Sequence, residues 1–291
     1  VSLSQLAFYL WARRSAAALV YGQELLKLGR TEQVRMLAAR YREGPYRLVS
    51  DYLTVRYELS TGRIGHGSER AKSTLLGLDA LGHGAEVWFA DCLLTRMWSV
   101  AFELGVAKPR DMDAVLERFL LAEPHRMGSC GFEALYLPYA ATYASKEVGA
   151  RAIERIRELF GEGQLKLMPH ADALLEGAER YIAGDYAAAV ERWRPTIRAE
   201  AVSTAYVRID AFDRADEEAL ASQLDRAAID RYGAVTLAAH AREARRAAAR
   251  GDAAMARKLA RQCIDAWADA DVKIAAVDEM RELLAQLDGS R

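Results

Sequence analysis

Apolar residues in the first thirty positions recur at three- to four-residue steps, through Leu6, Leu10, Ala17, Tyr21, Leu25 and Leu28. That spacing predicts a helix over Ser4–Leu28, stopped by Gly29. Thr31 then caps a second helix through Tyr41, with Glu32 in its first turn, and Gly44-Pro45 ends the pair. The same break and restart continues down the chain. Helices are expected over Tyr46–Ser60 and from Ser68 to about Leu81. A longer one over Glu86–Leu104 carries Trp88, Leu94, Trp98 and Phe102 almost all round, which predicts burial on more than one side. Pro109 closes that connection, Asp111 caps the helix to Leu121, and helices follow over Phe132–Ala144, kinked at Pro138, and Glu147–Phe160. Ala171–Arg198 reads as two short helices meeting at Gly184-Asp185-Tyr186. Two more pairs span 201–229 and 234–267, and Val272–Leu287 is an unpaired last helix. No stretch alternates Val, Ile and Thr as a strand would.

The second helix of each pair starts near 31, 68, 111, 147, 186, 216 and 253, so the pitch is about 30 to 43 residues, the range of helical-hairpin repeats. Each hairpin exposes apolar surface that only a neighbour covers, so such units stack. The expected fold is all-α: a right-handed α-α superhelix of about seven hairpins with a C-terminal capping helix. It forms one domain over residues 1–291, with 161–170 as the place for any subdivision. A closed (α/α) toroid is the rival architecture.

Composition supports a packed protein without selecting a charged partner. Of 291 residues 52% are hydrophobic, and 40 Lys and Arg balance 41 Asp and Glu, so no global field recruits nucleic acid or an acidic membrane. Neither is an expected partner. No run of eighteen apolar residues occurs, and Val1 opens neither a signal nor a transit peptide, which points to a cytoplasmic protein and to Val1 as a cut point in a longer polypeptide. Cys92, Cys130 and Cys263 are scattered and odd in number, so they read as reduced thiols.

Candidate chemistry is sparse. Gly62-Arg63-Ile64-Gly65-His66-Gly67-Ser68 precedes a helix and resembles a phosphate-cradling loop, but Ser68-Glu69 stand where a P-loop needs Lys and Ser or Thr. An inter-helix loop is the plainer reading. His66 and His83 flank a helix of about 14 residues, hence lie roughly 20 Å apart, too far to share a metal. No HExxH, CxxC or G-x-S-x-G is present. Asp213, Asp216, Glu217 and Glu218 fit an acidic helix start better than a magnesium motif. Seven basic residues between Arg242 and Arg261 face only Glu243 and Asp252, a local excess expected to form a solvated face. The pairs Tyr139/Tyr143 and Tyr52/Tyr57 are expected in the core. No catalysis, cofactor or metal is anticipated.

The unit over Ala171–Arg198 resembles a tetratricopeptide repeat. Gly177 takes the small position of the first helix, Gly184-Asp185-Tyr186 the turn, Ala189 the small position of the second helix and Trp193 its aromatic. SAAALVYGQELLKLGRTEQV is a second copy and AREARRAAARGDAAMARKLARQCIDAW a looser third, with Ala260 replacing the aromatic. The segments AYVRIDAFDRADEEALA and ARRAAARGDAAMARKLARQCIDAWADADV also resemble the C-terminal repeat regions of large bacterial Ser/Thr kinase or signal-transduction ATPase proteins. The resemblance implies a non-catalytic scaffold that holds a peptide or helix of another protein in a concave groove. Carried over to this chain, it lines that groove with Gln23, Lys27, Leu174, Tyr181 and Arg245, which favours an acidic partner, and puts Arg257 on the outer face. It also implies a kinase or ATPase domain in the same polypeptide. An all-α toroid lyase or hydrolase using carboxylates or histidines is the alternative.

Overall fold

A computed structural model of the chain describes residues 15–78, 94–121, 133–165, 170–196, 205–232 and 237–289, apart from 16 and 96. The fold is all-helical, with no strand among the described residues. The helices are α1 (17–27), α2 (Thr31–Arg40), α3 (Arg47–Ser60), α4 (Ile64–Gly77), α5 (97–103), α6 (Pro109–Leu120), α7 (Glu133–Tyr143) and α8 (Lys146–Leu165). They continue as α9 (Ala171–Ala183), α10 (Tyr186–Trp193), α11 (Ala205–Arg214), α12 (Glu218–Tyr232), α13 (Leu237–Ala249), α14 (Ala253–Ala266) and α15 (Ala275–Gly289). Helices pack on the next in sequence, as in α2/α3, α7/α8, α9/α10 and α13/α14, and on the next but one, as in α6/α8, α7/α9 and α13/α15. That is how helical hairpins stack into an array.

Two turns show why the boundaries fall where they do. Gly184 and Gly251 end α9 and α13 in the left-handed region, at φ 85° and 80°, where a side chain would be strained. The next residue caps the following helix: Asp185 Oδ1 accepts from Ala188 N at 3.2 Å and Asp252 Oδ1 from Met255 N at 3.0 Å.

Several expectations shift. Thr31 is the first residue of α2 and caps nothing, since no side chain bonds the start of that helix. Pro109 opens α6 rather than closing a connection, because its missing N–H costs nothing at a first helical position. Asp111 sits in the first turn of α6, where Oδ2 accepts from Lys108 N at 2.9 Å and Oδ1 from Lys72 Nζ at 2.6 Å. Helix α7 runs through Pro138, and α8 continues to Leu165, across the first half of the expected linker. The start of the long helix expected at Glu86, with Cys92, Cys130, His83 and His125, lies outside the described residues.

The chain divides into two compact units. Unit 1 takes residues up to Ala71, 103–106 and from Asp225 onward; unit 2 takes Lys72–Phe102 and Ala107–Leu224, including 161–170. In unit 2 the backbones of α7 and α8 nearly touch: a Cβ on Gly149 would lie 2.4 Å from the Ala141 carbonyl oxygen. Gly177 leaves the room that buried Trp193 fills, with a Cβ there only 2.1 Å from the indole nitrogen, which donates to Leu174 O at 3.3 Å. In unit 1, α1 lays Ala18, Gly22, Leu25 and Leu26 inward. A Cβ on Gly22 would meet Leu53 of α3 at 2.6 Å, and Leu25 and Leu26 cluster with Val34, with Tyr57 against them. Helices α13 to α15 close over Ala241, Ala244, Leu259, Ala260, Cys263 and Met280. Of the pairs expected in the core, Tyr52 and Tyr139 are buried and Tyr57 and Tyr143 are half-buried.

Candidate partner-binding surface

Because Ala18, Gly22, Leu25 and Leu26 point into unit 1, the opposite side of α1 faces out. At 100° per residue, Gln23, Lys27, Val20, Glu24, Ala17, Leu28 and Tyr21 fall within one arc of about 160°. Four of these seven, Ala17, Val20, Tyr21 and Leu28, are apolar where a surface helix is usually polar or charged. Val20 is 61% exposed, Tyr21 55% and Leu28 66%, and Met36 on α2 is 54% exposed. Those four belong to the seven exposed large hydrophobic residues among the described ones, and they crowd into seventeen positions of sequence. The only ion pair within the stripe joins Lys27 Nζ to Glu24 Oε1 at 2.7 Å, leaving it neutral. Helix α15 contrasts with it, since its exposed positions are mostly polar, including Glu279, Arg281, Glu282 and Asp288.

Gln23 and Lys27, two of the five residues expected in a groove, border this stripe and are half-buried. The other three go elsewhere. Leu174 is wholly buried and lines no surface. Tyr181 is an internal strut: its hydroxyl donates to Asp210 Oδ2 at 2.6 Å, and its ring lies 6.0 Å from Trp193 and 5.4 Å from Tyr186. Burial, with the Asp210 carboxylate beside it, pushes the phenol far above its ordinary pKa. Arg245 is bonded to Glu279 of α15. Arg257, expected on the outer face, instead ties α14 to α15 through Asp288 Oδ1 at 3.0 Å and the Leu287 carbonyl.

The glycine-rich stretch is not an open cradle. Helix α4 begins at Ile64, so Gly65, His66 and Gly67 form its first turn and Ser68 lies inside it. The free N–H groups there already hold an anion, the carboxylate of Asp271: Oδ1 accepts from Gly65 N at 2.9 Å and Oδ2 from His66 N at 2.8 Å, with the His66 ring Nδ1 on the same oxygen. Burial alone would raise Asp271, but these donors hold its pKa below the ordinary carboxylate value. Asp271 N donates in turn to Gly62 O at 3.2 Å, and Gly65 has no room for a Cβ, which would sit 2.6 Å from Val272.

The basic stretch of α13 and α14 is partly turned inward. Asp225, wholly buried, accepts from Arg242 Nε at 2.9 Å and Nη2 at 2.8 Å, and from Arg246 Nη1 at 2.7 Å. Buried Glu243 accepts from Arg226 Nε at 2.9 Å and Arg250 Nη2 at 2.6 Å, and Arg242 also reaches Glu103 at 3.3 Å. Arg242 and Arg246 of the expected solvated face therefore belong to a buried ion-pair network, while Arg245, Arg250, Lys258 and Arg261 are exposed as expected.

Comparison with protein-family models, curated proteins and solved structures finds no match to this chain. Function must be read from the surface itself. Among the described residues no group of three or more His, Cys, Asp or Glu side chains is placed to hold a metal. Cys263 is a buried thiol that desolvation pushes up to about 12, so it stays protonated and unreactive at neutral pH. Among the described residues no helix is long and apolar enough to cross a membrane.

Proposed function

We propose that this protein is a non-catalytic interaction scaffold, a tetratricopeptide-like right-handed array of about seven hairpins with a C-terminal cap, which docks a helix or peptide of another protein. The observation that carries this reading is the exposed stripe formed by Val20 and Tyr21 of α1 and Leu28 just past its end, bordered by Gln23 and Lys27. Soluble proteins bury such residues at about 1.5–3 kcal/mol each, so a contiguous exposed set on one helix marks a place where another surface belongs. The likeness of AYVRIDAFDRADEEALA to kinase- and ATPase-linked repeats supports a cytoplasmic role within a bacterial signalling protein.

The test is a photo-crosslinking amino acid at Tyr21, with a second at exposed Arg151 of α8 as control, followed by identification of the adducts. Enrichment of a discrete protein adduct at residue 21, abolished by Val20→Glu, is the expected result. Equal adducts at both positions would retire the reading.

The all-α toroid enzyme remains the second reading because of one contact. Asp271 and His66 meet although 205 residues separate them, whereas hairpins of an open array touch only their neighbours. Small-angle scattering separates the two, an elongated profile removing the toroid.

A further inference from the structure

The docking stripe is bracketed by three arginines that hold no carboxylate among the described residues. Residues 15–47 contain six Lys and Arg against three Glu, in a chain whose overall charge is −1. Three of the six are engaged: Lys27 with Glu24, Arg35 with Glu32 at 2.8 Å, and Arg47 with Asp51 of α3 at 3.9 Å. Arg30, Arg40 and Arg42 are exposed, and none of them pairs with a carboxylate among the described residues. Their placement is set by the hairpin. Leu25 and Leu26 of α1 pack on Val34 of α2, so an antiparallel pair brings Arg40 level with Val20, while Arg30 sits at the turn beside Leu28. On α2, Gln33, Met36 and Arg40 share an exposed face at three- and four-residue steps, which carries the mixed apolar and cationic character across both helices. The stripe from Ala17 to Leu28 is about 17 Å long, three turns of a facing helix.

Resting on the reading of this face as a docking surface, we infer that its occupant is an amphipathic helix of another protein, about three turns long, with acidic residues flanking its apolar stripe at both ends. An apolar stripe gives affinity without register. Cations at its two ends supply the register, because a helix with carboxylates at matching positions pairs with Arg40 and Arg42 at one end and Arg30 at the other. Glu24 is already neutralised by Lys27, so no carboxylate in the middle of the stripe repels such a partner. A second copy of this chain fits less well, since self-pairing of the hairpin brings its own excess of arginines together.

Three synthetic 18-residue helical peptides with one Leu stripe and Glu, Gln or Lys at the flanking positions test this on the full chain, by fluorescence anisotropy at two salt concentrations. The Glu peptide should bind at least tenfold tighter than the Gln peptide, with the gap closing at high salt, and the Lys peptide weaker still. The exposed double substitution Arg40→Glu and Arg42→Glu should abolish the preference of the Glu over the Gln peptide. Equal affinities for all three peptides, all lost on Val20→Glu, would overturn the acidic partner while keeping the docking face. Absence of binding by any peptide, together with no discrete adduct at residue 21, would overturn both. Arginine-dependent binding to phosphatidylglycerol vesicles without a preference for the Glu peptide would assign the surface to anionic lipid instead.

Discussion

Two carboxylates show how one residue type serves opposite ends. Asp225 is buried with two arginines on it, and the cost of desolvating these charges roughly cancels their attraction. Removing Asp225 takes the closest carboxylate from two largely buried arginines, which keep only Glu103 at 3.3 Å and Glu243 at 3.6 Å, so Asp225→Ala should lower stability by about 3 kcal/mol in denaturant titrations. Asp225→Asn, which keeps the shape and an acceptor, should cost less. Asp271 acts through titration. Its folded pKa lies below the unfolded value, so its contribution is complete above the ordinary carboxylate pKa of about 3.9 and is lost as pH falls through the folded value. Asp271→Asn should flatten the acid limb of the stability profile below about pH 4. A variant whose acid limb matches the parent would show that the carboxylate contributes no linkage.

At the scale of elements, glycine sets how closely helices approach. Gly149 faces the Ala141 carbonyl, which is backbone and can yield only if α7 moves, whereas Gly177 faces the Trp193 side chain. Trp193 has little freedom of its own, since it is wholly buried and bonded to Leu174 O. Both Gly149→Ala and Gly177→Ala should destabilise by at least about 1–3 kcal/mol despite alanine's better helix propensity. Thermal melts should separate them from Gly77→Ala, where nothing lies within 4 Å of the added Cβ and which should be neutral or mildly stabilising. The helices themselves were readable, because apolar spacing, Gly at the turns and Asp at the caps are local signals. The closeness of α7 to α8 was not, since Gly149 gives no sign in the sequence of which carbonyl it faces.

For the whole molecule, the consequence of greatest reach is that the first and last segments fold into one unit, joined at Gly62, Gly65, His66 and Asp271. Substituting Gly65→Val, which drives a side chain into Val272, should therefore reduce hydrogen-exchange protection in both α4 and α15. Loss confined to α4 would mean that the contact carries no cooperative load.

The sequence by itself determined the all-helical class and most helix boundaries, because these follow from periodicity within a few residues, but not the faces of α1, where Tyr21 and Leu28 of the expected apolar stripe are exposed and Leu26, outside it, is buried. It also marked Gln23 and Lys27, which border the exposed stripe. What only the tertiary structure decided are the partners of charge and the occupancy of faces. Leu174 and Tyr181 matched the groove pattern of a repeat, yet Trp193 and Asp210 enclose them. Arg242 and Arg246 looked like part of a solvated face because their counter-charges, Asp225 and Glu103, lie on other helices. The glycine-rich stretch looked open because the carboxylate that fills it comes from Asp271, about two hundred residues away. Local patterns specify the helix; which way a side chain points and what it meets there depend on long-range chain topology, which no short window of sequence contains.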